Sequence, residues 1–192
     1  MSMLNRAPIV GAIVFALSLS SGLIANSFAT EKTVEVGGAA MYPSKNIIEN
    51  AVNSKDHTTL VAAIKAAGLV DTLEAKGPFT VFAPTNAAFE KLPSGTVANL
   101  LKPENKKQLT NVLTYHVVAG NYSAAKLAKE ANANGGKLHL KTVEGERITI
   151  QSDKMGGWWV LDEKGDKAKI SIADVNQSNG VIHVIDGVLL PN

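Results

Sequence analysis

The run Val181-Ile182-His183-Val184-Ile185 constrains this chain more than any other segment. Asn179-Gly180 opens it as a turn pair, and Asp186-Gly187-Val188-Leu189-Leu190-Pro191 closes it almost at the C-terminus. A short β-branched run bounded in this way reads as a strand, not as a helix or a catalytic loop. Its apolar residues fall on both faces, which predicts a buried strand that closes a sheet and is covered on both sides. His183 inside such a strand is expected to be a hydrogen-bonded core histidine, because a buried imidazole needs a partner.

Apolar spacing organises the rest. After Ser44, a candidate cap, Ile47, Ile48, Ala51 and Val52 recur at helical intervals, as do Leu60, Val61, Ile64 and Ala67 ahead of the stop signal Gly68. A helical turn over 69–75 ends at Gly77-Pro78, and 79–82 reads as a strand that Pro84-Thr85 terminates. Thr85 is placed to cap a helix carrying Phe89 and Leu92, and Pro103 suits the first position of the longest helix. Leu109, Val112, Leu113 and His116 lie along one face of that helix, and Ser123 is placed to cap one more, through Lys129. After Gly135-Gly136 the period becomes two. Leu138/Leu140 and Ile148/Ile150 predict a hairpin, 158–161 a strand, and 169–175 another before the last. Helices first and antiparallel strands afterwards make the fold α+β, with the N-terminal helices packed on an antiparallel sheet. No internal repeat or linker divides it.

Residues 1–29 read as a signal peptide. Arg6 supplies the positive end, Ala7 to Leu19 the apolar stretch, and Ser27-Phe28-Ala29 the small residues before a cut after Ala29. An uncleaved anchor is the rival, since Ala7 to Ile24 approaches a membrane-spanning length. Residues 30–43 are expected to be a flexible lead-in, and 44–191 one domain. The net charge of +2 and the absence of cysteine leave a nearly neutral exported chain held by packing alone, without thiol chemistry or thiolate metal sites. The lysines read as solvated faces with no aromatic residues between them in sequence, which argues against a nucleic-acid surface.

The catalytic inventory is short. His57, His116, His139 and His183 stand far apart with no paired metal-ligand spacing, and no nucleophile elbow, phosphate-cradling loop or dinucleotide fingerprint is present. Residues 162–166 read as a solvated turn, not a calcium loop. The expectation is a protein that is not an enzyme and has no cofactor and no metal. Trp158 and Trp159 point to opposite faces of their strand, which leaves one available for contact.

Three segments, Thr80-Val81-Phe82-Ala83-Pro84-Thr85-Asn86-Ala87-Ala88-Phe89, then Tyr115-His116, then Asn179-Gly180-Val181-Ile182-His183-Val184-Ile185-Asp186, resemble the hallmarks of the fasciclin domain, in order and over nearly the whole exported chain. The resemblance implies a fasciclin-like fold, described as helices on a wedge-shaped β-sandwich. It also implies a secreted or periplasmic protein making adhesive contacts with a cell-surface or matrix protein, or with itself. In animal members the tyrosine-histidine region and an Asp-Ile pair before the last strand are linked to integrin binding. Here they match Tyr115-His116 and Asp174-Val175, without the Glu-Pro and Met that flank the acidic pair in the family. The residues of these segments serve equally as structural ties between helix and sheet. A periplasmic carrier of a small apolar ligand or cofactor, lodged near Tyr115-His116, is the alternative.

Overall fold

The structure is a computed structural model that describes residues 32–153 and 156–192, so the expected leader lies outside the described residues. Among the described residues no helix is long and apolar enough to cross a membrane. The segment expected to be a flexible lead-in instead forms a hairpin, β1 (Val34–Val36) with β2 (Ala39–Met41). Val36 and Met41 are buried in the core, and the Lys55 N–H donates to the Gly37 carbonyl. Its apolar residues, Val34, Val36 and Met41 among them, are too few and too closely spaced to announce an element on their own, and packing against the core decides its state.

The helices follow: α1 (Ile47–Ala51), α2 (Thr58–Ala67), α3 (Val70–Glu74), α4 (Asn86–Glu90), α5 (Thr96–Leu100), α6 (Lys106–Tyr115) and α7 (Ala124–Ala133). Asn46, not Ser44, caps α1: its side chain accepts from the Glu49 N–H while the Glu49 carboxylate accepts from the Asn46 N–H. Only that three-residue spacing lets the two side chains satisfy each other's backbone groups. Thr85 and Ser123 cap α4 and α7, and α7 runs four residues beyond the expected Lys129. Pro103 opens a 3₁₀ turn that feeds α6, which at ten residues is matched in length by α2 and α7.

Seven strands make one sheet: β3 (Phe79–Pro84), β4 (Val117–Ala119), β5 (Lys137–Lys141), β6 (Arg147–Ser152), β7 (Trp158–Leu161), β8 (Lys167–Gln177) and β9 (Gly180–Ile185), in the order β4-β3-β9-β8-β7-β6-β5. A pairing of Val118 with Thr142 draws the two ends together into a near-barrel. The sheet is mixed, not purely antiparallel, because β3 runs parallel to β9 from Phe79↔Gly180 to Pro84↔Ile185. The two strands lie a hundred residues apart in sequence, and neither carries a local sign of its partner.

As expected, β9 is covered on both sides, with every residue buried. Ile182 and Val184 join Val81, Ala83, Leu60, Ile64, Leu109 and Leu113 in one core under α1, α2 and α6. Ile185 joins Phe82, Tyr115, Leu127, Ile148 and Ile150 in the other, under α7. Gly180 is required where β9 meets β3: a Cβ there would stand 2.1 Å from the Phe79 carbonyl oxygen.

Candidate functional site

The resemblance singled out residues around β9, and the fold brings most of them into one buried node. Tyr115 ends α6 fully buried; its hydroxyl donates to the Arg147 carbonyl at 2.8 Å and accepts from the Glu163 N–H at 3.2 Å. Burial first, with the carboxylates of Asp162, Glu163 and Glu146 nearby, pushes its pKa up to about 12. His116 follows, 3% exposed. The Leu189 N–H donates to His116 Nε2 at 3.0 Å, so Nδ1 carries the proton and donates to the Val112 carbonyl at 2.8 Å. The His116 carbonyl also accepts from the Phe82 N–H. One residue thus ties α6, β3 and the C-terminal segment together. Burial lowers the imidazole pKa to about 4.

His183 is arranged in the same way. The Asp174 N–H donates to its Nδ1 at 3.3 Å, Nε2–H donates to the Tyr122 carbonyl at 2.8 Å, and the ring stacks on Phe82 at 5.6 Å. Burial again lowers its pKa. Both nitrogens of His116 and of His183 are committed, so neither ring is free to move a proton or ligate a metal. Among the described residues no group of three His, Asp or Glu side chains is placed to hold a metal ion.

Four residues were candidates for meeting a partner, and the structure separates them. Tyr115, His116 and Val175 (1% exposed) lie inside, because Tyr115 and Val175 pack in the two cores and His116 bonds buried backbone through both ring nitrogens, and that expectation is corrected for all three. Asp174 alone reaches the surface. It stands at a break in the β8 register, at φ +57°, a conformation a non-glycine residue adopts only when its surroundings hold it there. Its Oδ1 accepts from the Ala124 N–H at 2.7 Å at the start of α7. Beside it runs a groove of about 410 Å³ lined by Lys32, Val34, Pro43, Ser123 and Asn176.

Three features escaped sequence reasoning. Asn179, read there as a turn residue, is a buried staple: Oδ1 accepts from the Ile47 N–H, and Nδ2 donates to the carbonyls of Leu73 and Ala75. Asp162, read as part of a solvated turn, is buried and accepts from the Asp166 and Leu190 N–H groups. His57 shares a hydrogen bond with Ser54 through Nδ1, while Nε2 is buried without a partner against a small apolar cavity of about 30 Å³. No sequence signal marks these contacts, since each partner lies far along the chain or in an unremarkable loop.

Comparison with known proteins agrees with this geometry. The family model for the Fasciclin domain matches residues 55–191. Protein sll1483 of Synechocystis sp. is 45% identical over 92% of this chain and 91% of its own length. Cell surface glycolipoprotein MPB83 of Mycobacterium bovis is 31% identical over 85% of this chain and 69% of its own. A solved FAS1 domain pair from the insect cell adhesion molecule Fasciclin I superimposes with a TM-score of 0.68 at 20% identity, over 84% of this chain and 58% of the pair. That likeness shows the fold, helices on a large mixed sheet. With the family model matching well over half its length, this chain belongs to the fasciclin domain family.

Proposed function

We propose that this protein is a non-enzymatic contact module that works outside the cytoplasm, binding a cell-surface or matrix partner or a second copy of itself. One observation carries the reading: the hydroxyl of Tyr115 and all four ring nitrogens of His116 and His183 are bonded within the fold. The residues that would first be suspected of chemistry are therefore structural, and the surface is left to act. Family membership, and the surface and adhesion terms in the names of similar proteins, support it further. The leader over 1–29 and export to the periplasm or beyond belong to the same reading.

The test uses the purified protein coated on a surface, with adherent host cells counted, beside attachment by a strain lacking the gene. Coated protein that holds cells and a deletion that loosens them support the proposal; no change in either arm overturns it.

The carrier reading has one observation in its favour, the unpartnered His57 Nε2 facing an apolar cavity. That cavity lies between β1–β2, α1, α2 and β9, away from Tyr115-His116, and at about 30 Å³ it holds little more than water, far below the roughly 300 Å³ of an ordinary ligand pocket. Native mass spectrometry of protein purified from its host tests it; a bound small molecule would revive it.

A further inference from the structure

The outer face of β5–β8 is a cationic plane built across four strands, and nothing in the described chain covers it. In register, Lys137 lies opposite Gln151, Gln151 opposite Trp159, and Trp159 opposite Lys169. The next row is His139, Thr149, Leu161 and Lys167; in the third, Lys141 lies directly opposite Arg147. Leu138, Leu140, Ile148, Ile150, Val160 and Ala168 alternate with these residues and are buried, so both rows and the Lys141–Arg147 pair share the solvent side. Lys137, His139, Lys141, Arg147, Lys167 and Lys169 are all exposed.

Two features separate this face from an ordinary solvated one. The first is segregation. Five permanent cations stand together without an acidic strand residue among them, whereas the whole chain sums to only +2, so the remainder is net negative. Lys141 and Arg147 are like charges in direct cross-strand opposition, a pairing that costs stability and that the fold does not need. Among the described residues, none of the five is ion-paired to a carboxylate. The acids nearest in sequence lie in the connections and hold other groups: Asp153 accepts from the Gly157 N–H and the Trp159 indole, Glu144 from the Glu146 N–H, Glu146 from the Asn192 N–H, and Glu163 from the Arg147 N–H and the Asn192 amide. Asp166 is exposed, in the loop before Lys167.

The second feature is Trp159 amid the cations. Its indole N–H donates to Asp153 at 3.0 Å, which fixes the ring, and Lys167 Nζ stands 5.0 Å from the ring centroid. The ring is half-buried, with part of its surface open to solvent.

We propose that this face binds an acidic polysaccharide, a carboxylate- or sulfate-bearing glycan laid across β5–β8, with its anions on Lys137, Lys141, Arg147, Lys167 and Lys169 and a sugar ring against Trp159. The inference rests on the contact reading above and names the partner's chemistry. With strands about 4.8 Å apart, the four span roughly 15 Å, a width that seats a short stretch of an extended polymer. A single-stranded nucleic acid is the poorer fit, because it needs successive aromatic platforms for successive bases and this face offers one.

The experiment measures binding of the purified full chain to immobilised alginate, a polyuronate, with neutral dextran and a single-stranded oligonucleotide as comparison probes. Alginate binding is expected, dextran binding is not, and raising salt from about 50 to about 300 mM should weaken it about tenfold or more by screening. The Lys137→Glu/Lys169→Glu variant should lose binding at least about tenfold, and Trp159→Ala about fivefold. Lys106→Glu/Lys107→Glu on α6 should change nothing. Thermal melts establish that each variant folds, and should Trp159→Ala not fold, the Lys137/Lys169 variant decides, since both side chains are exposed. No alginate binding, equal loss in the α6 control, or tighter binding to the oligonucleotide overturns the inference. Cell attachment separates it from the broader reading: if the Lys137/Lys169 variant still holds cells while wild type ignores alginate, this inference falls and the contact reading stands. Alginate binding without cell attachment reverses that outcome.

Discussion

Acid should unfold this protein through His116, and the size of the effect follows from its surroundings. The imidazole is neutral in the fold, with Nε2 accepting from Leu189 and Nδ1 donating to Val112, and burial lowers its pKa from 6.5 to about 4. In the unfolded chain the ring returns to its ordinary value. A folded-state pKa below the unfolded one means that the unfolded state binds the proton first. The stabilisation is therefore complete above about pH 6.5 and is lost as pH falls toward 4. At pH 5 the unfolded ring is almost fully protonated and the folded ring is not, a difference of about 2 kcal/mol from this residue alone. His57 and His183, also lowered by burial, push in the same direction. The assay is urea denaturation at pH 7.5 and pH 5, on wild type and on His116→Gln, whose amide can keep both hydrogen bonds but does not titrate. The drop in stability between the two pH values should be smaller in the variant by about 2 kcal/mol. Equal drops in the two proteins would refute the reasoning.

Two further predictions concern the central strand. Asn179→Ala removes three hydrogen bonds, two of them buried, and strands the Ile47 N–H and the Leu73 and Ala75 carbonyls; a loss of about 3 kcal/mol is expected in chemical denaturation, and a loss below about 1 kcal/mol would show that the staple is idle. Gly180→Ala drives a methyl into the Phe79 carbonyl and must part β9 from β3, at a cost of about 3 kcal/mol or more; an unchanged melting temperature would contradict the close approach.

Much of this architecture was legible in the sequence because it is locally encoded. The β9 run, the β5–β6 hairpin, the Thr85 and Ser123 caps and the Gly68 stop each declare themselves within a few residues. What escaped depends on contacts between distant segments. The parallel β3–β9 pairing, the docking of the β1–β2 hairpin through Val36 and Met41, and the threefold grip of Asn179 have no local periodicity to announce them. The site divided along the same line. His183 was read as a core histidine and proves to be one, whereas Tyr115 and His116 stayed ambiguous because a helix end can face inward or outward, and only the sheet beside it decides. The cationic face was invisible for a related reason. Trp159 lies among lysines across strands, not along the chain.

Cell attachment to a surface coated with His116→Gln protein at pH 7.5, its fold verified by circular dichroism, is the most direct test of whether the hallmark residues build the body while the exterior makes the contacts. Attachment equal to wild type is expected, since His116 is buried with both nitrogens engaged. Attachment abolished in a variant that remains fully folded would contradict it.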